Sequence, residues 1–482
     1  MRYKLVSIRV IRGKKNKFLH MNKEHPLLLA YYGDDFTGST DALEFLTLAG
    51  IKTVLFLRSP LHKDLELFPG VQAIGLAGKS RSMSPIEMEG ELYPAFETLR
   101  DFNPEQVHYK VCSTFDSAPH VGNIGKAIEI GGEIFNQKTT FVSPAAPHLG
   151  RYCAFGNLFA RMGTIGNGEI HRIDRHPSMS KHPVTPAHEA DLRLHLAQQT
   201  SKSIDLINIT TIEAGSEAVL DEIQTKKKKE ILFFDGMNQA HLKTIGEVFQ
   251  QKGKEKTLFT VGSSGIEMAL GLAWKEKNTI NSKFEFEPPG EAAPLLVISG
   301  SCSPVTANQI EYALENGFEG IALESKVMHH DHQEQSIADV AREIIGNIKK
   351  GKSSILHTSI GTNDKRIAET EDYLKQSGLT HKEIQKQSSK IYGRVLGQII
   401  KGVLKSVKIK RILFAGGDTS SYAASELGIF ALEMIAPLAP GAPLCKAISE
   451  DASVNGLELN FKGGQVGTPD YFIKVQKGEK LV

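Results

Sequence analysis

The sequence has no apolar run approaching the ~20 residues a helix needs to span a bilayer, so no membrane partner is expected. Its four cysteines, Cys112, Cys153, Cys302 and Cys445, are scattered singly, without a CxxC pair. That argues against a disulfide framework or a zinc site and for a reducing, cytoplasmic setting. Histidine supplies no metal spacing either: His329-His330-Asp331-His332 reads as a solvated loop. No G-x-G-x-x-G opens a helix after a strand with an acid ~20 residues further on, which argues against a nicotinamide oxidoreductase.

Charge of one sign is also missing. Lys and Arg number 57 against 55 Asp and Glu. Seven of the basic residues fall in residues 1–20, where there is no acid, so the remainder is acidic by five. This gives no support to a nucleic-acid surface. The basic segment lacks a secretory apolar region and cleavage site. Residues 1–26 are therefore set apart as a basic N-terminal extension, with Met21 the expected native start and a targeting segment the alternative.

One motif that is present misleads. Residues 346–353, GNIKKGKS, fit the phosphate-loop template G-x-x-x-x-G-K-[ST]. Such a loop needs a strand before it and a helix after it, with the helix N-terminus facing the phosphates. Upstream, Ile337, Val340, Ala341, Ile344, Ile345 and Ile348 have helical spacing, and residues 354–358 read as a strand. The order is reversed, and a helix C-terminus repels anions. Nucleotide chemistry has to come from elsewhere.

At 482 residues the chain can bury more than one core. Short β-rich runs at 27–32, 53–57, 71–77, 107–112, 139–143, 231–235 and 258–261 alternate with helical patterns. Several are continuously apolar, as parallel strands covered on both faces are. Adjacent prolines and a glycine in FEFEPPGEAAP break the pattern near residue 290. Alternation then resumes with strands at 295–299, 320–323, 354–358 and 411–415 and a long helix near 382–407. The expected fold is α/β with two domains, each a mainly parallel sheet flanked by helices: 27–285, a linker at 286–294, and 295–482.

Loops at the carboxyl ends of parallel strands open onto the ligand crevice. The first is Gly33-Asp34-Asp35-Phe36-Thr37-Gly38-Ser39-Thr40-Asp41. Helix capping accounts for Asp41 and a hydroxyl but leaves Asp34-Asp35 without a reason. Adjacent acids repel, so one needs a metal, an arginine or a proton beside it. Two more strand ends carry Lys79-Ser80-Arg81 and Lys110-Val111-Cys112-Ser113-Thr114-Phe115-Asp116, placing cations where an anionic small molecule would sit. Ordinary surface charge, or an ion pair with the Asp34-Asp35 loop, is the plainer alternative. Arg151 adds another cation, and residues 180–186, stiffened by proline, suit a rim or lid. In the second domain, Gly300-Ser301-Cys302-Ser303-Pro304 and Gly416-Gly417-Asp418-Thr419 each link a strand to a helix, and Gly463-Gly464 follows later. Backbone N–H groups of such loops can cradle a polyphosphate without a phosphate-loop lysine.

Taken in order, GDDFTGSTDA, KSRS, KVCSTFDS, HPVTP, VGSSG, SGSCSPVTANQ and GGDTSSYAASELG resemble the four-carbon acid sugar kinases. The resemblance implies an ATP- and Mg²⁺-dependent cytoplasmic kinase acting on a small anionic sugar acid, with sugar-acid-binding and nucleotide-binding domains. It assigns substrate binding to Asp34, Asp35, Arg81, Lys110, Thr114 and Asp116, and the mechanism that fits these residues makes Asp35 the expected catalytic base, with Asp34 its alternative. It assigns ATP binding to Ser301, Gly416, Gly417, Asp418, Thr419 and Gly464, and the mechanism that fits these residues makes Asp418 the expected metal ligand, directly or through water. The first loop departs from the family's more usual Ala-Asp-Asp-Leu-Thr-Gly-Ala. That variant points to 3-oxo-isoapionate as substrate, with 3-oxo-tetronate, threonate or erythronate as alternatives. A non-catalytic ligand sensor is the alternative of another class. Self-association into a homo-oligomer is left open.

Overall fold

The computed structural model describes residues 27–162, 168–182, 184–277, 279–280, 286–376 and 378–479. The side chains of His330, His332, His381, Lys382, Gln385, Lys386 and Asp418 also lie outside the description. The basic extension at 1–26, Pro183 and residues 281–285 fall outside it as well.

Before residue 286 come strands β1 (Leu29–Gly33), β2 (Thr53–Phe56), β3 (Ala73–Ala77), β4 (Gln106–Lys110), β5 (Thr140–Ser143), β6 (Arg151–Ala154), β7 (Asn157–Arg161), β8 (Ile170–Arg172), β9 (Ile204–Ile207), β10 (Ile231–Phe234) and β11 (Leu258–Gly262). After it come β12 (Leu296–Ser299), β13 (Glu319–Ala322), β14 (Ser354–His357), β15 (Arg411–Ala415), β16 (Ile429–Ala439), β17 (Ala442–Ser449) and β18 (Glu458–Lys462). The order β2-β3-β1-β4-β11-β5-β10-β9 is parallel throughout, as is β13-β14-β12-β15-β18. Apolar runs such as TVLF in β2 and ILFF in β10 are buried along their whole length because helices cover both faces. Strands β6, β7 and β8 form a separate antiparallel sheet.

The two parallel blocks belong to one 15-stranded sheet among the described residues. They are joined by the β16–β17 hairpin, which turns at Gly441 (φ +75°). β17 pairs antiparallel with β18, and β16 pairs antiparallel with β2, Ala431 opposite Phe56. Across the junction Gly441 N–H donates to Glu44 Oε2 at 2.6 Å, and the rings of Phe36 and Phe461 lie 4.7 Å apart. The chain's halves thus meet through backbone pairing and apolar contact, which fixes their strand ends relative to each other.

The phosphate-loop look-alike sits where its spacing placed it. The helix His330–Lys349 ends in it, Gly351 takes a left-handed turn (φ +74°), and β14 follows. Ile344 and Ile348 of that helix are buried.

Candidate active site

Strands β3, β1 and β4 are parallel neighbours, with Gly33 opposite both Ala77 and Lys110. This register brings three strand ends to one edge. Asp34 follows β1, and Asp35 caps the helix Phe36–Leu48, its Oδ1 accepting the Gly38 N–H at 2.7 Å. Arg81 lies in the short turn Ser80–Ser82 beyond β3, held by its N–H to the Asp34 carbonyl at 3.0 Å. Its guanidinium grips Asp34 with two bonds, at 3.0 and 2.7 Å, and Asp35 Oδ2 with a third at 2.7 Å. Arginine is therefore the partner that two adjacent carboxylates require. Of the five N–H donors of a guanidinium, three are used here, and two stay available to a ligand.

Burial separates the two acids. Asp34 is 2% exposed, whereas the Asp35 side chain is 25% exposed. Burial raises the Asp34 carboxyl above its ordinary range, against the opposing pull of Arg81. Burial works against the Arg81 charge too, but Asp34 and Asp35 outweigh it and hold the guanidinium firmly protonated. Lys110, at the end of β4, is buried behind this cluster. Its Nζ lies 3.4 Å from Asp41 Oδ2 and donates to the Val111 carbonyl at 3.2 Å. A Cβ on Gly38 would fall 3.1 Å from that Nζ and 2.5 Å from Asp35 Oδ1, so only glycine lets them come so close. Burial lowers the Lys110 pKa, but Asp41, Asp34 and Glu267 more than compensate and raise it.

In the second half, β12 and β15 are parallel neighbours, so their following loops meet. A Cβ on Gly300 would fall 2.5 Å from the Thr419 side chain, and one on Gly464 would fall 2.7 Å from Ser301 Oγ. Gly416 takes φ +136° and Gly417 begins the helix Asp418–Glu426 with no side-chain cap. Among the described residues the first-turn N–H groups of that helix therefore have neither an intrahelical partner nor a capping side chain. Ser303 caps the helix Pro304–Glu315, which has proline at its start.

Two cavities connect these parts. One, of about 220 Å³, is walled by Asp34, Asp35, Thr37, Arg81 and Asp116 on one side and by Gly417 and Ser421 on the other. His182, Val184 and Thr185, from the proline-stiffened stretch, complete its wall. The second, of about 480 Å³, shares Ser82 and Val184 with the first and runs past Gly300, Cys302 and Thr419 to Arg366, Tyr392 and Tyr422. A strand-end acid pair and a glycine-opened helix N-terminus thus face each other across one crevice.

Residues 29–270 match the model of a sugar-binding N-terminal domain, and residues 296–472 that of a nucleotide-binding C-terminal domain. The chain belongs to the four-carbon acid sugar kinase family. It is 38% identical to a 3-oxo-isoapionate kinase of Paraburkholderia graminis, over 94% of each chain. It is 27% identical to a 3-oxo-tetronate kinase of Pectobacterium atrosepticum, over 93% of this chain and 98% of that one. A solved structure from Salmonella typhimurium LT2 superimposes with a TM-score of 0.73 at 23% identity, covering 94% of this chain and all of the other, and so shares the fold.

In this acid sugar kinase the crevice brings together Asp34, Asp35, Arg81 and Asp116 with Gly417 in one cavity, and Thr419 in the next. Lys110 and Thr114 stand behind that wall, Thr114 Oγ1 donating to Asp116 Oδ1 at 2.8 Å. Ser301, Gly416 and Gly464 cluster behind Gly300 and Gly417, and the Asp418 side chain is outside the description. Motif reading missed the far wall of the second cavity. Buried Arg366 is clamped by Asp364 at 2.6 and 2.9 Å and donates to the His357 carbonyl. The usable signal was polar Thr358-Ser359 directly after β14, again a strand end.

Proposed function

We propose that this kinase transfers the γ-phosphoryl group of ATP to a hydroxyl of a small sugar acid, 3-oxo-isoapionate in particular. The observation that carries the proposal is the first cavity, where Asp35 and Arg81 face Gly417 across a space suited to a small acid. The 38% identity to the 3-oxo-isoapionate kinase supports the choice of substrate over 3-oxo-tetronate, threonate or erythronate. The phosphates of ATP would lie over the N-termini of the helices that start at Pro304 and Asp418, and the larger cavity would take the nucleoside.

The sugar acid's carboxylate takes the two remaining N–H donors of Arg81, with the Lys110 ammonium adding positive charge from behind. Both acids line the cavity, but Asp35 is the better-placed base, because its side chain is a quarter exposed while Asp34 is buried and doubly held. Each of its oxygens already accepts one bond and has room for another. The substrate oxygen bonds to the γ-phosphorus, its proton passes to Asp35, and the bond to ADP breaks. Thr37, Asp116 and Ser421 put oxygen donors of the kind that Mg²⁺ takes on the cavity wall, leaving Asp35 to the proton. The ion would be held by the ATP phosphates with Asp418 as the protein carboxylate, and would neutralise phosphate charge.

An ADP-release assay with Mg-ATP and 3-oxo-isoapionate, 3-oxo-tetronate, threonate and erythronate tests this, with products weighed for an added phosphate. Preferential turnover of 3-oxo-isoapionate is expected. A better rate with a tetronate would replace the substrate. ATP binding with no phosphorylated product from any acid would favour a ligand sensor.

A further inference from the structure

A third space, of about 330 Å³, opens on another side of the second half, between the helices His330–Lys349, His381–Leu404 and Asp418–Glu426. Its polar wall is made by Gln333, Gln387, Lys390, Arg394, Tyr422 and Glu426. Lys390 and Arg394 lie one turn apart on the same helix face, since residues four apart are neighbours there. Arg394 Nε is buried without a hydrogen-bond partner, and neither cation makes an ion pair among the described residues. A buried guanidinium N–H with no acceptor is costly, and cations this close repel each other. Both costs vanish when an anion enters. Amide groups from Gln333 and Gln387 extend the donor set, and Glu426 can accept from a ligand hydroxyl.

The space is tied to the nucleotide loops by close packing. A Cβ on Gly393 would fall 2.4 Å from Tyr422 Cβ and 2.8 Å from the Thr419 carbonyl, and one on Gly397 would fall 2.4 Å from Glu426 Cβ. The helices His381–Leu404 and Asp418–Glu426 therefore touch backbone to backbone and cannot move independently. Tyr422 lines both this space and the larger cavity of the crevice. A ligand drawn to Lys390 and Arg394 therefore binds against the helix that carries Gly417 and Thr419 at its N-terminal side.

We propose that this groove is an effector site for a small dianion bearing a phosphate and a carboxylate, whose binding alters nucleotide affinity at the crevice. That is the chemical class of a phosphorylated hydroxy acid, and so of the kinase's own product. The coupling rests on the proposed nucleotide site, while binding in the groove does not.

The test uses the full chain and 3-phosphoglycerate as probe, with calorimetry for binding and a separate ATP titration. The probe should bind the wild type, and Arg394→Gln or Lys390→Gln should weaken it about tenfold or more, as loss of a charged hydrogen bond does. Saturating probe should change ATP affinity about fivefold or more in the wild type and leave that of both variants unchanged. An unaltered ATP affinity without probe shows that a variant is folded, and a variant that lacks it is set aside for the other. Inorganic phosphate should bind more weakly than the probe, since it fills half the site. Absence of probe binding, or binding that neither substitution alters, overturns the effector site. Binding that depends on both cations but leaves ATP affinity unchanged overturns the coupling. Failure of ATP to bind at all overturns the nucleotide reading instead, and the calorimetry of the probe still decides the groove.

Discussion

Replacing Arg81 by methionine removes the partner of a buried carboxylate while keeping much of the side chain's length. In the wild type Asp34 receives two bonds, at 3.0 and 2.7 Å, and Asp35 a third at 2.7 Å. Removing one member of a buried ion pair typically costs about 3–5 kcal/mol. The Arg81 side chain is 25% exposed, so water moderates the loss, and about 3 kcal/mol is the expected deficit at pH 8. The deficit depends on pH in a definite direction. Burial already raises the folded-state pKa of Asp34 above its ordinary value, and loss of Arg81 raises it further. Above its unfolded pKa the folded state then holds more protons than the unfolded one, so stability falls as pH rises through that range. The deficit should be largest at pH 8 and shrink as the pH falls and Asp34 takes up its proton. The assay is chemical unfolding followed by the fluorescence of Trp274, the single tryptophan and fully buried in the first half. Adding Asp34→Asn to Arg81→Met should recover part of the loss, because an amide carries no charge to bury. A deficit below about 1 kcal/mol, or one that does not vary with pH, would refute a buried ion pair as the organiser of this loop.

Asp35→Asn should lower kcat by about 10²- to 10⁴-fold with little change in the KM for ATP, measured by ADP release; near-wild-type turnover would move the base elsewhere. Lys462 is buried against Thr306, and burial pulls its pKa down to about 7. Between that value and its higher unfolded pKa the unfolded chain binds the extra proton, so this residue makes stability rise as pH climbs from 7 toward 9. Lys462→Met should flatten that rise, and an unchanged slope in unfolding curves would exclude Lys462 as its source. Lys352, in the phosphate-loop look-alike, pairs with Glu319 at the surface. Lys352→Ala should leave the KM for ATP within about twofold, as for a surface ion pair, whereas a tenfold rise would restore the look-alike as a phosphate site.

Much of the parallel sheet was legible because its strands are short apolar runs that end in glycine, hydroxyl or charge. Residues 411–415 read as a strand, and β15 has those bounds. The run at 27–32 shifts only to Leu29–Gly33. The β16–β17 hairpin was not legible. Its strands mix apolar residues with Glu433, Pro437, Pro443 and Lys446, and their burial follows from pairing with β18 on one side and, on the other, with β2, which lies far away in sequence. The pairing of Ala431 with Phe56 spans most of the chain, and no local periodicity reports it.

The same division holds at the site. Local sequence determined that Asp34 and Asp35 end a buried strand, that Arg81 and Lys110 end others, and that GNIKKGKS closes a helix instead of opening one. Each follows from the periodicity of a few adjacent residues and from where glycine and proline interrupt it. Tertiary structure alone decided that Arg81 clamps both acids, that Lys110 stands behind Gly38, and that Gly417 faces Asp35 across a cavity. Those relations depend on strand order and on the hairpin that joins the two halves, and both are set by hydrogen bonds and packing between segments remote in sequence.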